Sequence, residues 1–259
     1  MSFLGKQTHL NRIFRHASGR VLTVAVDHMI NYPVGLPQAL RTIETTLDRI
    51  VAGAPDAITM NKGIAKRLMP KHAGRVPFIV QSMALRTDES FFAEQATAEE
   101  VLAMGADAIA VAMFVHCEME IEYIHHLTKV VREAEPLGLP VIPHIYPLSS
   151  GDEKHAVVHD PEAIYYAVRV GLEAGADVIK VPFTGDAASF RDIVSATPAP
   201  IVTAGGPKCE TLEEAEQMVR DVVASGAAGA TIGRNVWGFS DPEAAVRRLS
   251  ATMQGAPAS

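Results

Sequence analysis

The sequence predicts an α/β protein made of a single (β/α)8 barrel, the TIM barrel fold. Four copies of one phrase support this: "AGAPDAITMN", "MGADAIAVAMF", "AGADVIKVPF" and "SGAAGATIGRN". In each copy Gly-Ala ends an amphipathic segment, as at a helix C-cap, and a near-continuous apolar run follows. Such runs are typical of parallel strands covered on both faces. The length of 259 residues fits one barrel, which takes about 250.

The remaining elements fill the gaps between these copies. Asp160-Pro161 and Thr211, with Glu214 three residues later, are typical helix starts. An open, doubly wound sheet is the alternative, but it usually has fewer strands and a glycine-rich turn after the first strand. This chain reads "DHMINYPVGLP" there. The predicted strands are 21–28, 56–61, 77–83, 107–114, 140–146, 177–183, 200–205 and 229–234, with helices including 38–53, 118–136, 160–174 and 211–225.

Composition limits the class of protein. We expect one domain over 1–259, with 1–20 as an N-terminal extension and 254–259 as a disordered tail. The formal net charge of -7 argues against nucleic acid or an anionic membrane as the main partner. The two cysteines have no metal or redox spacing, and nowhere do about 18 apolar residues run together. With no signal peptide pattern at the start, these features predict a cytoplasmic protein.

Alternation along three predicted strands places polar side chains inside the barrel. In "DVIKVPF" the apolar set is Ile179, Val181 and Phe183, so Lys180 belongs to the opposite, interior face. The same reasoning turns Asp27 and Tyr146 inward at the ends of the first and fifth strands. Barrel active sites lie at the carboxyl ends of the strands, so these three side chains are candidate catalytic residues.

A lysine in that position suggests covalent chemistry. Burial disfavours the ammonium form, and the neutral amine of Lys180 can attack a carbonyl to form a Schiff base. Tyr146 and Asp27 are then the candidate general acid and base. The alternative is a buried ion pair between the lysine and an aspartate with a purely structural role.

Two glycine-rich turns follow the last two predicted strands, "TAGGPK" and "IGRNVWG". Loops at these strands form the recurring phosphate site of barrel enzymes. Gly205, Gly206 and Gly233 let the backbone approach a ligand closely, and Arg234 can add a charged contact. Ordinary tight turns are the alternative.

Histidines at the strand ends suggest a rival, metal-dependent enzyme. His28, His116 and His144 follow or end strands, but no clustered metal-ligand spacing accompanies them, and no metal site is predicted. Because His28 and His144 neighbour the catalytic candidates, we count them as candidate substrate-binding residues. Gln81, on the third strand, can line the mouth of the barrel or be a polar core residue.

"DVIKVPFTGD", "PIVTAGGPK" and "GAAGATIGRNVWG" closely resemble the archaeal-type class I fructose-bisphosphate aldolase family. Its superfamily includes deoxyribose-phosphate aldolase and autoinducer-2 phosphate thiolase. The resemblance implies that Lys180 is the Schiff-base residue and that Tyr146 is the proton donor and acceptor. It also implies that Asp27 lies near the reacting hydroxyls, and that Gly205, Gly206, Gly233 and Arg234 hold the phosphate of the ketone half.

The chain departs from that family at two places. The family tends to read "DHGxEHGP" after the first strand, and to carry Trp and Arg where this chain has His144 and Leu148. That arginine is expected to bind the second phosphate, so its replacement argues against fructose 1,6-bisphosphate as the substrate.

We therefore expect a class I aldolase without a cofactor, acting on a phosphorylated ketose, with dihydroxyacetone phosphate as the ketone half. The resemblance also implies a homo-oligomer. The alternatives are a thiolase-like acyl-transfer enzyme of the same superfamily, a metal-dependent aldolase or isomerase, and a barrel that binds sugar phosphates without turning them over.

Overall fold

A closed barrel of eight parallel strands forms the centre of the computed structural model, which describes residues 3–28, 37–149 and 155–255. The order around the barrel is β1-β10-β9-β8-β7-β6-β3-β2, so each strand pairs with the neighbours that a (β/α)8 fold requires. The predicted fold class is confirmed. The strands are β1 (Val21–Ala25), β2 (Ala57–Asn61), β3 (Phe78–Gln81), β4 (Met83–Leu85), β5 (Phe92–Glu94), β6 (Ala108–Val115), β7 (Val141–Pro147), β8 (Ile179–Val181), β9 (Ile201–Ala204) and β10 (Gly229–Ile232).

Helices lie between the strands, and their starts follow the local signals. The side chain of Asp160 caps one helix and precedes a proline, and Thr211 forms a capping box with Glu214. The helices are α1 (Phe3–Ile13), α2 (Gln38–Arg41), α3 (Ile43–Ala52), α4 (Lys62–Leu68), α5 (Ala98–Ala103), α6 (Glu120–Leu137), α7 (Pro161–Glu173), α8 (Ala187–Ser195), α9 (Leu212–Ala224), α10 (Arg234–Trp237) and α11 (Pro242–Gln254), with a 3-10 turn at Met69–His72.

The recurring glycine has the role that the sequence predicts in three of its four copies. Gly105, Gly175 and Gly226 have φ of 76°, 89° and 81°, the left-handed conformation that ends a helix before the next strand. The fourth glycine, Gly53, caps α3 with an ordinary right-handed backbone. The chain is therefore turned from helix to strand by backbone geometry that the sequence already marks.

Two features differ from the sequence prediction. The strand predicted at 77–83 ends at Gln81, and Met83–Leu85 instead pairs antiparallel with Phe92–Glu94 in a small separate hairpin. The helix predicted at 38–53 is interrupted at Thr42, where ψ is 54°. Short apolar runs carry no signal of their partner strand, so a hairpin outside the barrel was not predictable from periodicity.

Side chains alternate between the barrel interior and the helix layer as predicted. A small apolar cluster shared by several strands fills the interior, and it includes Val21, Ile142 and Val178. Ile13 of α1 belongs to the same cluster and is 1% exposed, so the segment expected as an extension closes one end of the barrel. The alternate residues of the same strands, such as Ile145 and Ile179, face outward and pack in the larger cluster beneath the helices.

The loop at 29–36, which holds most of "DHMINYPVGLP", and the loop at 150–154 lie outside the described residues. Of the tail expected at 254–259, Gln254 is still helical, Gly255 ends α11 with φ of 77°, and the rest lies outside them. Among the described helices none is both long and apolar enough to cross a membrane.

Candidate active site

Lys180 is the central side chain of the candidate site. It lies in the middle of the three-residue strand β8 and is 4% exposed, with Ile179 and Val181 facing the helix layer on either side. β8 is aligned with β7 so that Lys180 stands opposite His144. The Lys180 Nζ lies 3.5 Å from His144 Nδ1, inside the barrel. The sequence placed Lys180 on the interior face, and the register agrees.

A buried amide connects His144 to the first strand. Gln81, at the end of β3, is fully buried, and its Nε2 lies 3.2 Å from His144 Nδ1 and 3.5 Å from the Asp27 Oδ2. Its Oε1 accepts from the backbone N–H groups of Ala112 and Met83 at 3.0 and 3.2 Å. Gln81 is therefore a central polar residue of the site and not merely a polar member of the core.

Asp27 follows β1 and is 7% exposed. Its backbone carbonyl accepts from the Asn61 Nδ2 at 3.2 Å, and its Oδ1 lies 3.6 Å from the His28 Nδ1. Burial lowers the pKa of His28, while the carboxylate of Asp27 opposes that change. The charges of Lys180 and Arg234 act on the same imidazole and favour its neutral form.

Tyr146, near the end of β7, points into the same mouth. Its ring lies 6.3 Å from that of Phe114, centre to centre. Burial raises the pKa of the phenol, and the nearby charge of Asp27 raises it further, whereas Arg234 acts in the opposite direction. Tyr146 therefore stays protonated at neutral pH and is ready to donate a proton.

The two glycine-rich loops lie side by side. The Arg234 Nη2 donates to the carbonyl of Gly206 at 2.8 Å, so the residue predicted for phosphate contact also ties one loop to the other. Gly206 has φ of 61°, which favours glycine. A Cβ at Gly205 would lie 2.9 Å from the Ile232 Cα, so that position is too close to the next strand for a side chain.

Asn235 and Trp237 hold these loops in place, and neither is among the site residues predicted from the sequence. The Asn235 Nδ2 donates to the carbonyls of Gly205 and Pro207, while its Oδ1 accepts from the Cys209 N–H. The Trp237 Nε1 donates to the Ala25 carbonyl at 3.0 Å, which links α10 to β1. A buried asparagine in "GRNVWG" was the available hint, but its partners lie in another loop.

The three histidines of the metal alternative have different surroundings. His28 lies edge-on to Trp237, with ring centres 5.3 Å apart, and His144 contacts Gln81. His116 stacks on Tyr166 at 4.8 Å. Across residues 3–28, 37–149 and 155–255, no group of three or more His, Cys, Asp or Glu has a metal-binding arrangement.

A site with this geometry can support Schiff-base chemistry. It combines a buried lysine with a neutral imidazole at 3.5 Å, a protonated phenol, a carboxylate and two glycine-rich loops joined by an arginine. The structure brings together all nine predicted site residues at the carboxyl ends of the strands, and it adds Gln81 and Asn235. The individual roles predicted for the nine stay predictions.

Comparisons with known proteins agree with this arrangement. The profile of the DeoC/LacD family aldolases matches residues 21–238. The 2-amino-3,7-dideoxy-D-threo-hept-6-ulosonate synthase of Halobacterium salinarum is 34% identical, with 98% of this chain and 93% of that protein covered. The 2-amino-4,5-dihydroxy-6-oxo-7-(phosphonooxy)heptanoate synthase of Streptomyces griseus is 28% identical, with 95% and 89% covered.

One similar solved structure has a lysine bound to a reaction intermediate. It is an archaeal fructose-1,6-bisphosphate aldolase with its catalytic Lys covalently bound to the carbinolamine intermediate of the substrate. That chain is 26% identical, the TM-score is 0.83, and the comparison covers 95% of this chain and all of the other.

Proposed function

The chain belongs to the DeoC/LacD aldolase family, and from that premise we propose that it is a Schiff-base aldolase in which Lys180 is the nucleophile. The buried position of Lys180 beside the imidazole of His144 carries the proposal. Membership of the family makes the protein a lyase. The identity of the nucleophile, the acid and base, and the two halves of the substrate are what we add.

The reaction is written in the direction of cleavage. The lone pair of the Lys180 amine attacks the ketone carbon, the carbonyl electrons move to oxygen, and that oxygen leaves as water after taking up protons. The resulting iminium accepts the electron pair of the neighbouring C–C bond while the β-hydroxyl gives its proton to the Tyr146 phenolate, so that an aldehyde departs and an enamine remains. Protonation of the enamine carbon and hydrolysis release the ketone and restore Lys180.

Tyr146 and Asp27 supply the proton transfers. Tyr146 donates its phenol proton to the departing carbonyl oxygen, and the resulting phenolate then takes the proton of the β-hydroxyl. The raised pKa of Tyr146 favours that second step, because it makes the phenolate a stronger base. Asp27 lies beside His28 and Gln81, where its carboxylate can accept hydrogen bonds from substrate hydroxyls. Arg234 and the glycines 205, 206 and 233 would hold a phosphate on the ketone half, as loops at these strands do in many barrels.

We propose that the aldehyde half carries no phosphate. Leu148 stands where the resemblance to the archaeal-type aldolases implies an arginine, and it is 3% exposed. A pocket of about 310 Å³ beside it is lined by Glu89, Glu118 and Glu120 as well as by His116 and His155, and the three carboxylates disfavour a phosphate there. The product named for the Streptomyces griseus relative has a phosphate next to its ketone and an amino acid at the other end. An aldehyde with an amino acid end, such as aspartate 4-semialdehyde, fits this pattern.

The nucleophile is tested by borohydride reduction. Wild-type protein treated with dihydroxyacetone phosphate and borohydride should carry a reduced adduct on the peptide that contains Lys180. Lys180→Met should lose both adduct and activity, and Lys66→Met, an exposed lysine of α4, should lose neither. Activity that persists in Lys180→Met, with no adduct in the wild type, would refute the mechanism.

The aldehyde half is tested by comparing acceptors with dihydroxyacetone phosphate as the donor. We expect kcat/KM for aspartate 4-semialdehyde to exceed that for glyceraldehyde 3-phosphate by at least about 10-fold, which is about 1.4 kcal/mol of discrimination. Leu148→Arg should move the preference toward the phosphorylated aldehyde. A wild-type preference for glyceraldehyde 3-phosphate contradicts this part of the proposal only.

A further inference from the structure

Gln81 has every hydrogen-bonding atom of its amide assigned by its surroundings. Two backbone N–H groups, from Ala112 and Met83, point at one amide atom, which must therefore be the oxygen. The other atom is the NH2 group, and it faces two acceptors, the Asp27 Oδ2 at 3.5 Å and the His144 Nδ1 at 3.2 Å. The orientation of the amide follows from its neighbours on three strands.

That orientation determines the tautomer of His144. An N–H of Gln81 directed at Nδ1 requires a lone pair there, so Nδ1 carries no hydrogen and the neutral ring carries its hydrogen on Nε2. Protonation to imidazolium would place an N–H of His144 against an N–H of Gln81, and His144 is only 2% exposed, so water cannot relieve that contact. Burial lowers the pKa of His144 well below its usual value, and an ammonium at Lys180 acts in the same direction.

The same lone pair faces the nucleophile. The Lys180 Nζ lies 3.5 Å from the His144 Nδ1, and the two residues are direct partners in the register of β7 and β8. A carboxylate at this place would hold the lysine as an ammonium by ion pairing. A neutral imidazole accepts an N–H of the amine without that electrostatic stabilisation of the charged form.

We propose that Gln81 and His144 are positioning residues for Lys180. Gln81 fixes the Nδ1 of neutral His144 as an acceptor, and the single lone pair of that Nδ1 is shared between the Gln81 amide and an N–H of the Lys180 amine, which sets the position of the Lys180 Nζ beside β7. This inference rests on the proposed function, in which Lys180 is the nucleophile.

Matched substitutions separate positioning from packing. In His144→Asn the amide oxygen can take the place of Nδ1, whereas His144→Leu has a similar size and no acceptor. In Gln81→Glu the carboxylate has no hydrogen to donate, so His144 should turn its hydrogen to Nδ1 and lose the acceptor. Circular dichroism and thermal unfolding show which variants fold, and each rate below is measured only on folded protein.

Two probes report on the amine, and only one requires aldolase chemistry. The first is the rate of borohydride trapping with dihydroxyacetone phosphate. The second is reductive methylation of Lys180 by formaldehyde, which needs no phosphate site, followed by peptide mass spectrometry. We expect His144→Leu and Gln81→Glu to be slower than the wild type by about 10- to 100-fold in both, as for a misplaced reacting group. His144→Asn should stay within about 3-fold of the wild type, because it retains an acceptor.

The tautomer is read independently of any reaction. In protein labelled with ¹⁵N at histidine, the wild-type signal of His144 should show an unprotonated Nδ1 and a protonated Nε2, as should that of His16, whose Nδ1 accepts from the Ser18 N–H. The His144 signal should be missing in His144→Asn, which assigns it, and should change to the opposite tautomer in Gln81→Glu.

The results distinguish this inference from the proposed function. Wild-type rates of trapping and methylation in folded His144→Leu, or a hydrogen on Nδ1 in the wild type, overturn the positioning role even when Lys180 forms the adduct. Conversely, loss of methylation in His144→Leu with no dihydroxyacetone phosphate adduct in the wild type supports the positioning role and refutes the proposed reaction.

Discussion

Gly233 connects the candidate phosphate loop to the first strand, and Gly233→Ala tests that contact. A Cβ at this position would lie 2.4 Å from the His28 Cε1, 2.8 Å from the His28 Nε2 and 3.0 Å from the Ala25 carbonyl oxygen. The φ of Gly233 is -111°, which any residue adopts, so backbone strain from a positive φ plays no part. The expected effect of the substitution is the contact of the new Cβ with His28 and Ala25.

The size of the effect follows from these distances. His28 must move by about 1 Å to restore ordinary van der Waals separation. The ring cannot move freely, because Trp237 lies edge-on to it and Asp27 contacts its Nδ1. Overpacking of this kind costs about 1–3 kcal/mol, and for a chain of this length the melting temperature should fall by roughly 2–10 °C. A displacement of about 1 Å at the site should lower kcat/KM by about 10- to 100-fold.

Gly63→Ala is the matched control. Gly63 lies in α4 on the surface, and a Cβ there would meet nothing within 4 Å. Since alanine favours a helix over glycine, this variant should keep full activity and gain about 0.5–1 kcal/mol of stability. The assays are thermal unfolding and steady-state kinetics of the aldol reaction. A Gly233→Ala protein with wild-type melting temperature and kcat/KM would refute the reasoning.

Three further predictions concern single side chains. Tyr146→Phe should lower kcat by about 10²- to 10⁴-fold, the usual contribution of general acid–base catalysis, and an unchanged kcat would exclude the phenol as the proton donor. Because the pKa of buried His144 lies well below 6.5, the unfolded chain takes up a proton below pH 6.5 that the folded protein does not. His144 should therefore lower the free energy of unfolding by about 1.4 kcal/mol between a pH well above 6.5 and pH 5.5. His144→Asn should lose that share of the pH dependence in denaturant unfolding measured from pH 7.5 to 5.5, and a pH dependence identical to that of the wild type would contradict it. Burial, together with the hydrogen bond and charge of Glu89, raises the pKa of Cys117 to about 12. Iodoacetamide at pH 8 should thus leave Cys117 unmodified, Glu89→Gln should increase its labelling, and rapid labelling of the wild type would contradict the assignment.

Local sequence patterns predicted much of the fold. The four Gly-Ala copies predicted where a helix ends and the next strand begins. The positive φ at Gly105, Gly175 and Gly226 is the physical reason at three of them. Period-two alternation placed Lys180 inside the barrel before any neighbour was known, because the two faces of a strand pack against different surroundings. The cytoplasmic location and the homo-oligomer stay predictions.

Only the tertiary structure decided which side chains meet. Gln81 carried no sequence signal that separated a core amide from a site residue, because its partners, Asp27, Ala112 and His144, come from three other regions of the chain. The hydrogen bonds from Asn235 to the carbonyls of Gly205 and Pro207 depend in the same way on residues 30 and 28 positions away in the chain. The sequence alone determined that a lysine lies at the centre of a barrel. The pairing of β7 with β8 decided that a neutral imidazole stands beside it, because His144 and Lys180 are partners in that register.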